Sequence, residues 1–300
     1  MSMPLIAIVG AGAIGTVIAA RLSARGGLDV SLCLRSGGFS SLEVQGPDGT
    51  VTATPTLYAN PAEAHPVDWV IATIKAYDSA AIAGTWLPAL MGPQTRLAVL
   101  QNGVEHVANF AAHVDPARIL PVMLDIPAER LGPGRVLQRA AGIMVVPQGP
   151  DSADFIALFD GTGINVTADA DFTTVVWRKL CLNAAGAVSA LLRQPAGIVH
   201  HTGAAPVMRA LVAECVAVAR AEGAKLDDQT VDQVMDACRA AAPAGINSLL
   251  ADRMAGRPME LDARNGVIIR RGAVHGIPTP VNQTVHDLIL AAVSAEQAQR

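Results

Sequence analysis

The stretch PLIAIVGAGAIGTVIAARLSARGG, residues 4–27, decides the fold class. A short apolar run at 5–9 precedes three glycines in the pattern Gly-x-Gly-x-x-Gly, and an amphipathic helix follows. This order is typical of a dinucleotide-binding βαβ unit, because Gly10 permits a tight turn, Gly12 admits a pyrophosphate and Gly15 lets the helix pack closely on the strand. We therefore predict that a dinucleotide pyrophosphate binds at the helix N-terminus. The residues predicted to contact it are Gly10, Ala11, Gly12, Ala13, Ile14 and Gly15.

The next apolar run, LDVSLCLR at residues 28–35, predicts a second strand that ends at Arg35. An acidic side chain at this position usually binds the ribose 2′-hydroxyl of NAD, whereas an arginine suits the 2′-phosphate of NADP. Ser36 adds a hydroxyl, and the residues after it add backbone N–H groups. The sequence therefore predicts NADP as the cofactor. The alternative is that Arg35 is simply a solvated surface residue.

Two later runs, VDWVIATIKAYD at 67–78 and TRLAVLQNGV at 95–104, predict buried strands that end near Lys75 and Asn102. Ligands of an open parallel sheet bind outside the carboxyl ends of its strands, so both residues are expected at the edge that holds the glycine turn. Asn-Gly is also a favoured turn pair, which gives Asn102 an alternative and compatible role. Three further runs are expected to complete the sheet, partly with antiparallel strands: 118–126, 134–138 and 141–148.

After about Ala168 the apolar pattern becomes helical, and Asp171 is expected to cap the first helix. The predicted fold is therefore α/β. A Rossmann-type NADP-binding domain is expected over residues 1–168, and an all-helical substrate and catalytic domain over 169–300. The predicted helices lie within 171–194, 205–223, 227–242, 247–256, 259–276 and 280–299.

The apolar segment VVWRKLCLNAAGAV, residues 175–188, contains Lys179 and Asn183, which a helix places one turn apart on the same face. Of the 22 basic residues only three are lysines, the other two being Lys75 and Lys225. Lysine, unlike arginine, can release a proton near neutral pH when burial lowers its pKa. In an NADP enzyme, this pattern favours carbonyl reduction, in which Lys179 protonates the developing alkoxide and Asn183 binds the substrate. The alternative is a lysine that extends its ammonium into solvent.

Composition argues against several classes of function. A net charge of −4 disfavours a nucleic-acid partner, and the lack of an uninterrupted apolar run of about 18 residues disfavours a membrane helix. The four cysteines show no Cys-x-x-Cys spacing and the seven histidines no His-Glu-x-x-His motif, so no metal site is expected. The N-terminal residues lack the charged region of a signal peptide, and we expect a cytoplasmic protein with free thiols.

Six segments, taken in order, resemble the ketopantoate reductase (2-dehydropantoate 2-reductase) family over nearly the whole chain. The resemblance implies NADPH-dependent reduction of a 2-keto acid, ketopantoate or a related branched one, to the 2-hydroxy acid. The oligomeric state stays open, with a homodimer as one option. The segments are GAGAIG, TIKAY, LQNGVE, WRKLCLNAA, NSLLADRMAGRPMELDARNG and HGIPTPVN.

The resemblance also implies roles for individual residues. Lys179 matches the family's general acid, and Asn183 matches its substrate-binding asparagine. Ser248 matches a serine of the substrate site, and Glu260 matches a glutamate with a role in catalysis and in cofactor binding. The positions expected to contact both the substrate and the cofactor are Lys75 and Asn102.

Two positions depart from the family pattern. The family often has a second asparagine four residues after the first, where this chain has Ala187, and Asn247 replaces the first serine of a Ser-Ser pair. Loss of the amide predicts a more apolar keto acid as substrate, because a site built to bind a hydroxyl discriminates strongly.

Two other functions remain open at this point. One is a β-hydroxyacid dehydrogenase or imine reductase, which shares the lysine-to-asparagine helix, although LQNGVE and the segment 248–260 argue against it. The other is an NADP-binding sensor without catalysis. The joint presence of Lys179, Asn183, Ser248 and Glu260 disfavours the sensor.

Overall fold

The structure of the protein, a computed structural model, describes residues 3–35 and 37–298. Ser36, which was expected to help bind a 2′-phosphate, lies outside the described residues. The chain divides into two units: one contains the residues up to Gln101 together with Glu105–Phe172, and the other contains Asn102–Val104 and the residues from Thr173 onward.

All the strands of the described residues fall in the first unit. Several begin or end within one or two residues of the predicted runs. Their bounds are β1 (Leu5–Val9), β2 (Asp29–Cys33), β3 (Leu42–Gly46), β4 (Gly49–Ala53), β5 (Thr56–Tyr58), β6 (Val67–Ala72), β7 (Met91–Val99), β8 (Ile119–Pro121), β9 (Met123–Asp125), β10 (Ala128–Gly132), β11 (Arg135–Gln138), β12 (Gly142–Pro147) and β13 (Ile164–Asp169).

Six of these strands form a parallel sheet in the order β5-β2-β1-β6-β7-β8. The order reverses between β1 and β6, which is the point where dinucleotides bind in doubly wound folds. Along β1, Ile6 and Ile8 pack in one apolar core while Ala7 and Val9 pack in another. Because successive side chains point to opposite faces of a strand, both faces of this sheet are covered. The predicted α/β class with a Rossmann-type sheet is confirmed.

The expectation that the later runs would complete this sheet is wrong for most of them. Only β8 joins it; β9 and β12 form a separate sheet with β13, and β11 lies in a four-stranded sheet with β10, β3 and β4. β8 ends at Pro121, and the Val122 N–H that follows still donates to the carbonyl of Val99, the last residue of β7, at 3.1 Å. The buried Arg21 joins its helix to β11, where Nε donates to Gln138 Oε1 at 2.8 Å, and to the turn before β13, where Nη1 donates to the Thr162 carbonyl at 2.8 Å.

The helix after the glycine turn and the helices of the second unit follow the predicted segments, with two differences described below, whereas three short helices of the first unit were not predicted. The first unit contains α1 (Ala13–Arg25), α2 (Ser79–Thr85), α3 (Leu87–Leu90) and α4 (Ser152–Leu158). The remaining helices are α5 (Phe172–Ala185), α6 (Ala187–Leu192), α7 (Ala204–Ala221), α8 (Thr230–Ala240), α9 (Ser248–Met254), α10 (Val267–Val274) and α11 (Pro280–Ala298).

The long helix predicted over 171–194 is interrupted at Gly186. The Asn247 side chain donates from Nδ2 to the Gly186 carbonyl at 3.1 Å, and a Cβ on Gly186 would lie 2.9 Å from the same nitrogen. The helix predicted over 259–276 also starts later than expected, because a π-helical turn at Asp262–Gly266 precedes α10. The break at Gly186 involves a tertiary contact that a periodic pattern does not record.

By length and composition alone, Phe172–Leu192 is apolar enough to cross a membrane. The expectation of no such segment rested on uninterrupted apolar runs, which Lys179 and Asn183 break. In the structure, 56% of the most apolar stretch of 18 residues within this segment is buried inside the protein. Core helices pass the same test of length and composition, so the finding is weak support for a membrane span.

Candidate active site

The glycine turn after β1 is fixed by close backbone approach. Gly10 has φ +109°, and its N–H donates to the Cys33 carbonyl at 3.2 Å. A Cβ on Gly15 would lie 1.8 Å from the Gly10 carbonyl oxygen, so only glycine lets α1 come this near to β1. The Thr73 hydroxyl donates to the same oxygen at 2.9 Å and ties the turn to the end of β6. These contacts place the turn at the carboxyl edge of the sheet.

Gly12 differs from the other two glycines because the space around it is open. Its backbone is extended, with φ −75° and ψ −171°, and a Cβ there would meet no heavy atom of the described residues within 4 Å. No side chain in the described part of the chain caps the N-terminus of α1, where Gly12 is the capping residue. The first N–H groups of a helix lack intrahelical partners, so this opening suits a phosphate group.

Arg35 and Lys75 both lie beside one short turn at the same edge. The Arg35 side chain is 78% exposed and its Nη2 lies 2.8 Å from Asp78 Oδ2. The Asp78 N–H donates to the Lys75 carbonyl at 2.9 Å, within the helical turn Ala76–Asp78 that follows β6. The end of β2 therefore presents a guanidinium to solvent, held by a carboxylate, next to the start of the segment that carries Lys75.

In the second unit, Lys179 and Asn183 lie on α5 in the predicted relation, one turn apart. Both are partly exposed, whereas the opposite side of the helix is buried. The helix therefore presents an ammonium and an amide on one accessible stripe. The buried residues of α5 are Val176, Trp177, Leu180, Cys181, Ala184 and Ala185.

Asn102 connects this stripe to Glu260. The Asn102 amide Nδ2 donates to Glu260 Oε2 at 2.9 Å, and Asn183 Nδ2 donates to Asn102 Oδ1 at 3.4 Å. Gly103 follows at φ +94°, and a Cβ on it would lie 2.4 Å from the Ala263 carbonyl oxygen. The Asn-Gly pair therefore supplies both a tight turn and an amide that bridges two other predicted site residues.

Arg264, in the π-helical turn, lies close to both Ser248, the first residue of α9, and Glu260. Glu260 and Arg264 are each 4% exposed, whereas Ser248 is exposed. Arg264 Nη2 donates to Ser248 Oγ at 2.7 Å. Burial lowers the pKa of the Arg264 guanidinium, while the charges of Glu260 and Asp252 oppose that shift. Arg264 was not predicted from the sequence; the available signal was an arginine four residues after Glu260 in MELDARNG.

The two departures from the family pattern have different structural consequences. Asn247 caps α9, since its Oδ1 accepts the Leu250 N–H at 2.9 Å. Ala187 is completely buried at the start of α6. Its side chain therefore forms no part of an accessible wall, and burial does not support the expectation that the missing amide alters the substrate surface.

Within residues 3–35 and 37–298, no cluster of three or more His, Cys, Asp or Glu side chains is arranged to hold a metal ion. The polar groups of the second unit are instead joined in a chain of side-chain contacts. That chain runs from Asn183 through Asn102 to Glu260, and the neighbouring guanidinium of Arg264 reaches Ser248. Such an arrangement can hydrogen-bond a small polar ligand, and the Lys179 ammonium on the same stripe of α5 can supply a proton to it.

Comparisons with known proteins match this chain along almost its whole length. The family model described as "Ketopantoate reductase PanE/ApbA" matches residues 6–151, and "Ketopantoate reductase PanE/ApbA C terminal" matches residues 171–293. A 2-dehydropantoate 2-reductase of Caulobacter vibrioides is 54% identical over 290 residues, covering 97% of this chain and 99% of the relative.

Two more distant proteins are also similar throughout. A 2-dehydropantoate 2-reductase of Mycobacterium tuberculosis is 40% identical over 297 residues, covering 96% of this chain and 97% of the relative. The crystal structure of a PanE/ApbA family ketopantoate reductase from Ralstonia eutropha JMP134 superposes with a TM-score of 0.90 at 30% identity. That superposition covers 98% of this chain and 99% of the other.

Proposed function

Because the chain belongs to the ketopantoate reductase family, we propose that it reduces ketopantoate, or a related branched 2-keto acid, to the 2-hydroxy acid with NADPH. The resemblance seen in the sequence motifs is confirmed, and the protein is an oxidoreductase that acts on a CH–OH group with a nicotinamide cofactor. The observation that carries the proposal is the Asn102 amide, which joins Glu260 to Asn183 one turn from Lys179.

The residues of the second unit suit protonation of a reduced carbonyl. When bound, the nicotinamide supplies a hydride to the keto carbon, and negative charge develops on the carbonyl oxygen. The Lys179 ammonium stabilises that charge and donates its proton to the oxygen, which gives the hydroxyl. Asn183 hydrogen-bonds the substrate from the same stripe of α5. Glu260 binds Asn102 Nδ2 and thereby fixes the orientation of the amide.

The glycine turn supports the cofactor proposal. The open space at Gly12 and the uncapped first turn of α1 would hold the pyrophosphate, with Ala11, Ala13 and Ile14 in the same turn. Arg35 is proposed to bind the 2′-phosphate that distinguishes NADPH from NADH, with Lys75 close by. Lys75, Asn102 and Glu260 are proposed to contact the cofactor as well, following the family resemblance.

Three further parts of the proposal follow the sequence analysis. Residues 1–168 are proposed to bind NADP and residues 169–300 to carry the substrate and proton-transfer groups. The proposed location of the reaction is the cytoplasm. A homodimer is the proposed assembly.

The test is NADPH oxidation with a panel of substrates: ketopantoate, 2-ketoisovalerate, a 3-keto acid and a cyclic imine. We expect saturable oxidation with the branched 2-keto acids and much slower oxidation with the other two. Faster turnover of the 3-keto acid or the imine would favour a β-hydroxyacid dehydrogenase or imine reductase. NADPH binding without turnover of any substrate would favour a sensor.

A further inference from the structure

Arg264 uses its guanidinium differently from the other two deeply buried arginines. Arg21 donates from all three guanidinium nitrogens. Arg253 donates to two backbone carbonyls and to Glu296, although its Nε also lacks a partner among the described residues. Arg264 makes one hydrogen bond with the described residues, to the hydroxyl of Ser248, and its inaccessible Nε has no partner among them. Buried polar groups are normally hydrogen-bonded, so a purely structural role leaves this arrangement unexplained.

The two carboxylates near Arg264 each accept a hydrogen bond from another side chain. Glu260 and Asp252 both favour its charged form. However, Glu260 Oε2 accepts a hydrogen bond from Asn102 at 2.9 Å, and Asp252 Oδ1 accepts one from Arg257 at 2.9 Å. The two carboxylates reduce the cost of burying the guanidinium, but each has another donor.

The contact between Arg264 and Ser248 determines the direction in which the serine hydroxyl can donate its proton. A serine hydroxyl has one proton to donate, and its oxygen can accept. Since Arg264 donates to Oγ at 2.7 Å, the hydroxyl proton points to a different acceptor. Ser248 is exposed while Arg264 is buried behind it, so that acceptor comes from the accessible side. The buried positive charge makes the hydroxyl a better donor to an anion.

A 2-keto acid carries such an anion on the carbon next to its carbonyl. We propose, on the basis of the proposed function, that Arg264 is a positioning residue that makes the Ser248 hydroxyl a donor to the substrate carboxylate. Lys179 and Asn183 serve the carbonyl, and the Ser248–Arg264 pair serves the acid group. The pair would therefore set the preference for 2-keto acids over neutral ketones.

The test compares a keto acid with its neutral ester. For the wild type, Arg264→Met, Arg264→Lys and Ser248→Ala, kcat/KM is measured with 2-ketoisovalerate and with its methyl ester. Loss of a charge-assisted hydrogen bond should lower the acid-to-ester ratio roughly ten- to hundredfold in Arg264→Met. Arg264→Lys keeps the charge and should keep most of the ratio. Ser248→Ala should lower the ratio as Arg264→Met does.

Two comparisons separate this role from a structural one. If Arg264 acts through Ser248, the double variant Ser248→Ala/Arg264→Met should lose little more of the ratio than Ser248→Ala alone. Arg270→Met removes an exposed arginine that pairs with Asp262 rather than with a carboxylate near Arg264, and it should leave the ratio unchanged. The inference would be overturned if Arg264→Met lowered kcat/KM equally for the acid and the ester, which leaves the ratio unchanged.

A binding measurement keeps this result distinct from failure of the proposed function. Calorimetry with 2-hydroxyisovalerate and NADP⁺ requires no turnover. Weaker binding of the hydroxy acid by Arg264→Met than by the wild type would support the carboxylate role even if no keto acid is reduced. Equal binding by the two folded proteins would refute it. Circular dichroism checks that the variant is folded. If it is not, Arg264→Gln, which removes the charge but keeps amide donors, provides the second variant and should also bind the hydroxy acid more weakly than the wild type.

Discussion

Lys179 is the residue on which the proposed chemistry depends, because it carries an ammonium on the accessible stripe of an otherwise largely buried helix. Lys179→Ala should lower kcat by roughly 10²–10⁴, the usual contribution of a general acid. NADPH affinity should change little, since the glycine turn that is proposed to bind the nucleotide lies in the other unit. Steady-state kinetics and a fluorescence titration of NADPH measure the two quantities.

Lys179→Arg is the matched variant for this prediction. It keeps the positive charge, but guanidinium does not give up a proton near neutral pH. The rate should therefore remain low. A near-normal kcat in Lys179→Arg would leave charge stabilisation as the role of Lys179 and would eliminate proton donation.

Arg35 gives a second prediction at this scale. NADPH should bind at least tenfold more tightly than NADH, an advantage of about 1.4 kcal/mol, and Arg35→Asp should remove that preference. Dissociation constants for both cofactors provide the measurement. Asp78→Asn is the control, because it removes the carboxylate beside Arg35 while the guanidinium remains, so the preference for NADPH should persist. Equal affinities in the wild type would disprove the role of Arg35.

Single residues differ in how far the sequence reveals them. Helical spacing was sufficient to relate Lys179 to Asn183. The contacts of Asn102 with Glu260 and of Arg264 with Ser248 join residues that are 158 and 16 positions apart. Local spacing carries no information on such contacts. Arg264 was also hard to recognise because the chain uses arginine for most of its positive charge.

At the scale of elements, the turn that holds Asn102 depends on its glycine. Gly103→Ala would put a Cβ at 2.4 Å from the Ala263 carbonyl, in a backbone conformation that disfavours side chains. We expect unfolding free energy to fall by about 3 kcal/mol. Displacement of the Asn102 amide from Glu260 should lower kcat/KM roughly 10²-fold. Denaturant titration and steady-state kinetics measure these effects.

Gly223 provides a matched control for Gly103. Its φ is +91°, close to the +94° of Gly103, but a Cβ there would meet no described heavy atom within 4 Å. Gly223→Ala should therefore cost only the backbone strain, about 1 kcal/mol, and should leave kcat/KM unchanged. If both variants lose the same stability and retain activity, the close approach to Ala263 does not position Asn102.

Elements with a strong local signal were predicted well, and those that depend on distant partners were not. The strands β1, β6 and β7 follow from apolar runs and turn residues. The break at Gly186 requires the Asn247 side chain from another helix, and the π-helical turn at Asp262–Gly266 has no periodic signature. The pairing of β9 with β12 rather than with the main sheet also requires knowledge of which edge is available.

At the scale of the whole molecule, apolar periodicity gave the order of the parts, a parallel α/β sheet followed by helices. Periodicity did not predict that Asn102–Val104 belongs to the helical unit, while the residues on either side of it in sequence belong to the unit with the sheet. The reason is that the Asn-Gly turn makes its side-chain and backbone contacts with residues 183 and 260–263. A boundary drawn from composition places these three residues with the preceding strand.

The stability of the folded protein should depend on pH through His106. Burial lowers the pKa of this side chain to about 4, although Nε2 donates to the Gln101 carbonyl at 2.9 Å. Between pH 6.5 and 4 the unfolded chain binds a proton that the folded chain excludes. The free energy of unfolding therefore rises with pH across this window, and the contribution of His106 to stability disappears as the pH falls to 4. A shift of this size corresponds to about 3 kcal/mol.

His106→Gln removes the titrating group, and it should flatten the dependence of unfolding free energy on pH between 6.5 and 4. Urea titrations at several pH values, followed by circular dichroism, measure that dependence. His113→Gln is the control, because His113 is exposed and its loss should leave the slope as in the wild type. A slope unchanged in His106→Gln would mean that the buried imidazole takes up its proton in the folded state as readily as in the unfolded one. The proton excluded below pH 6.5 would then belong to another group.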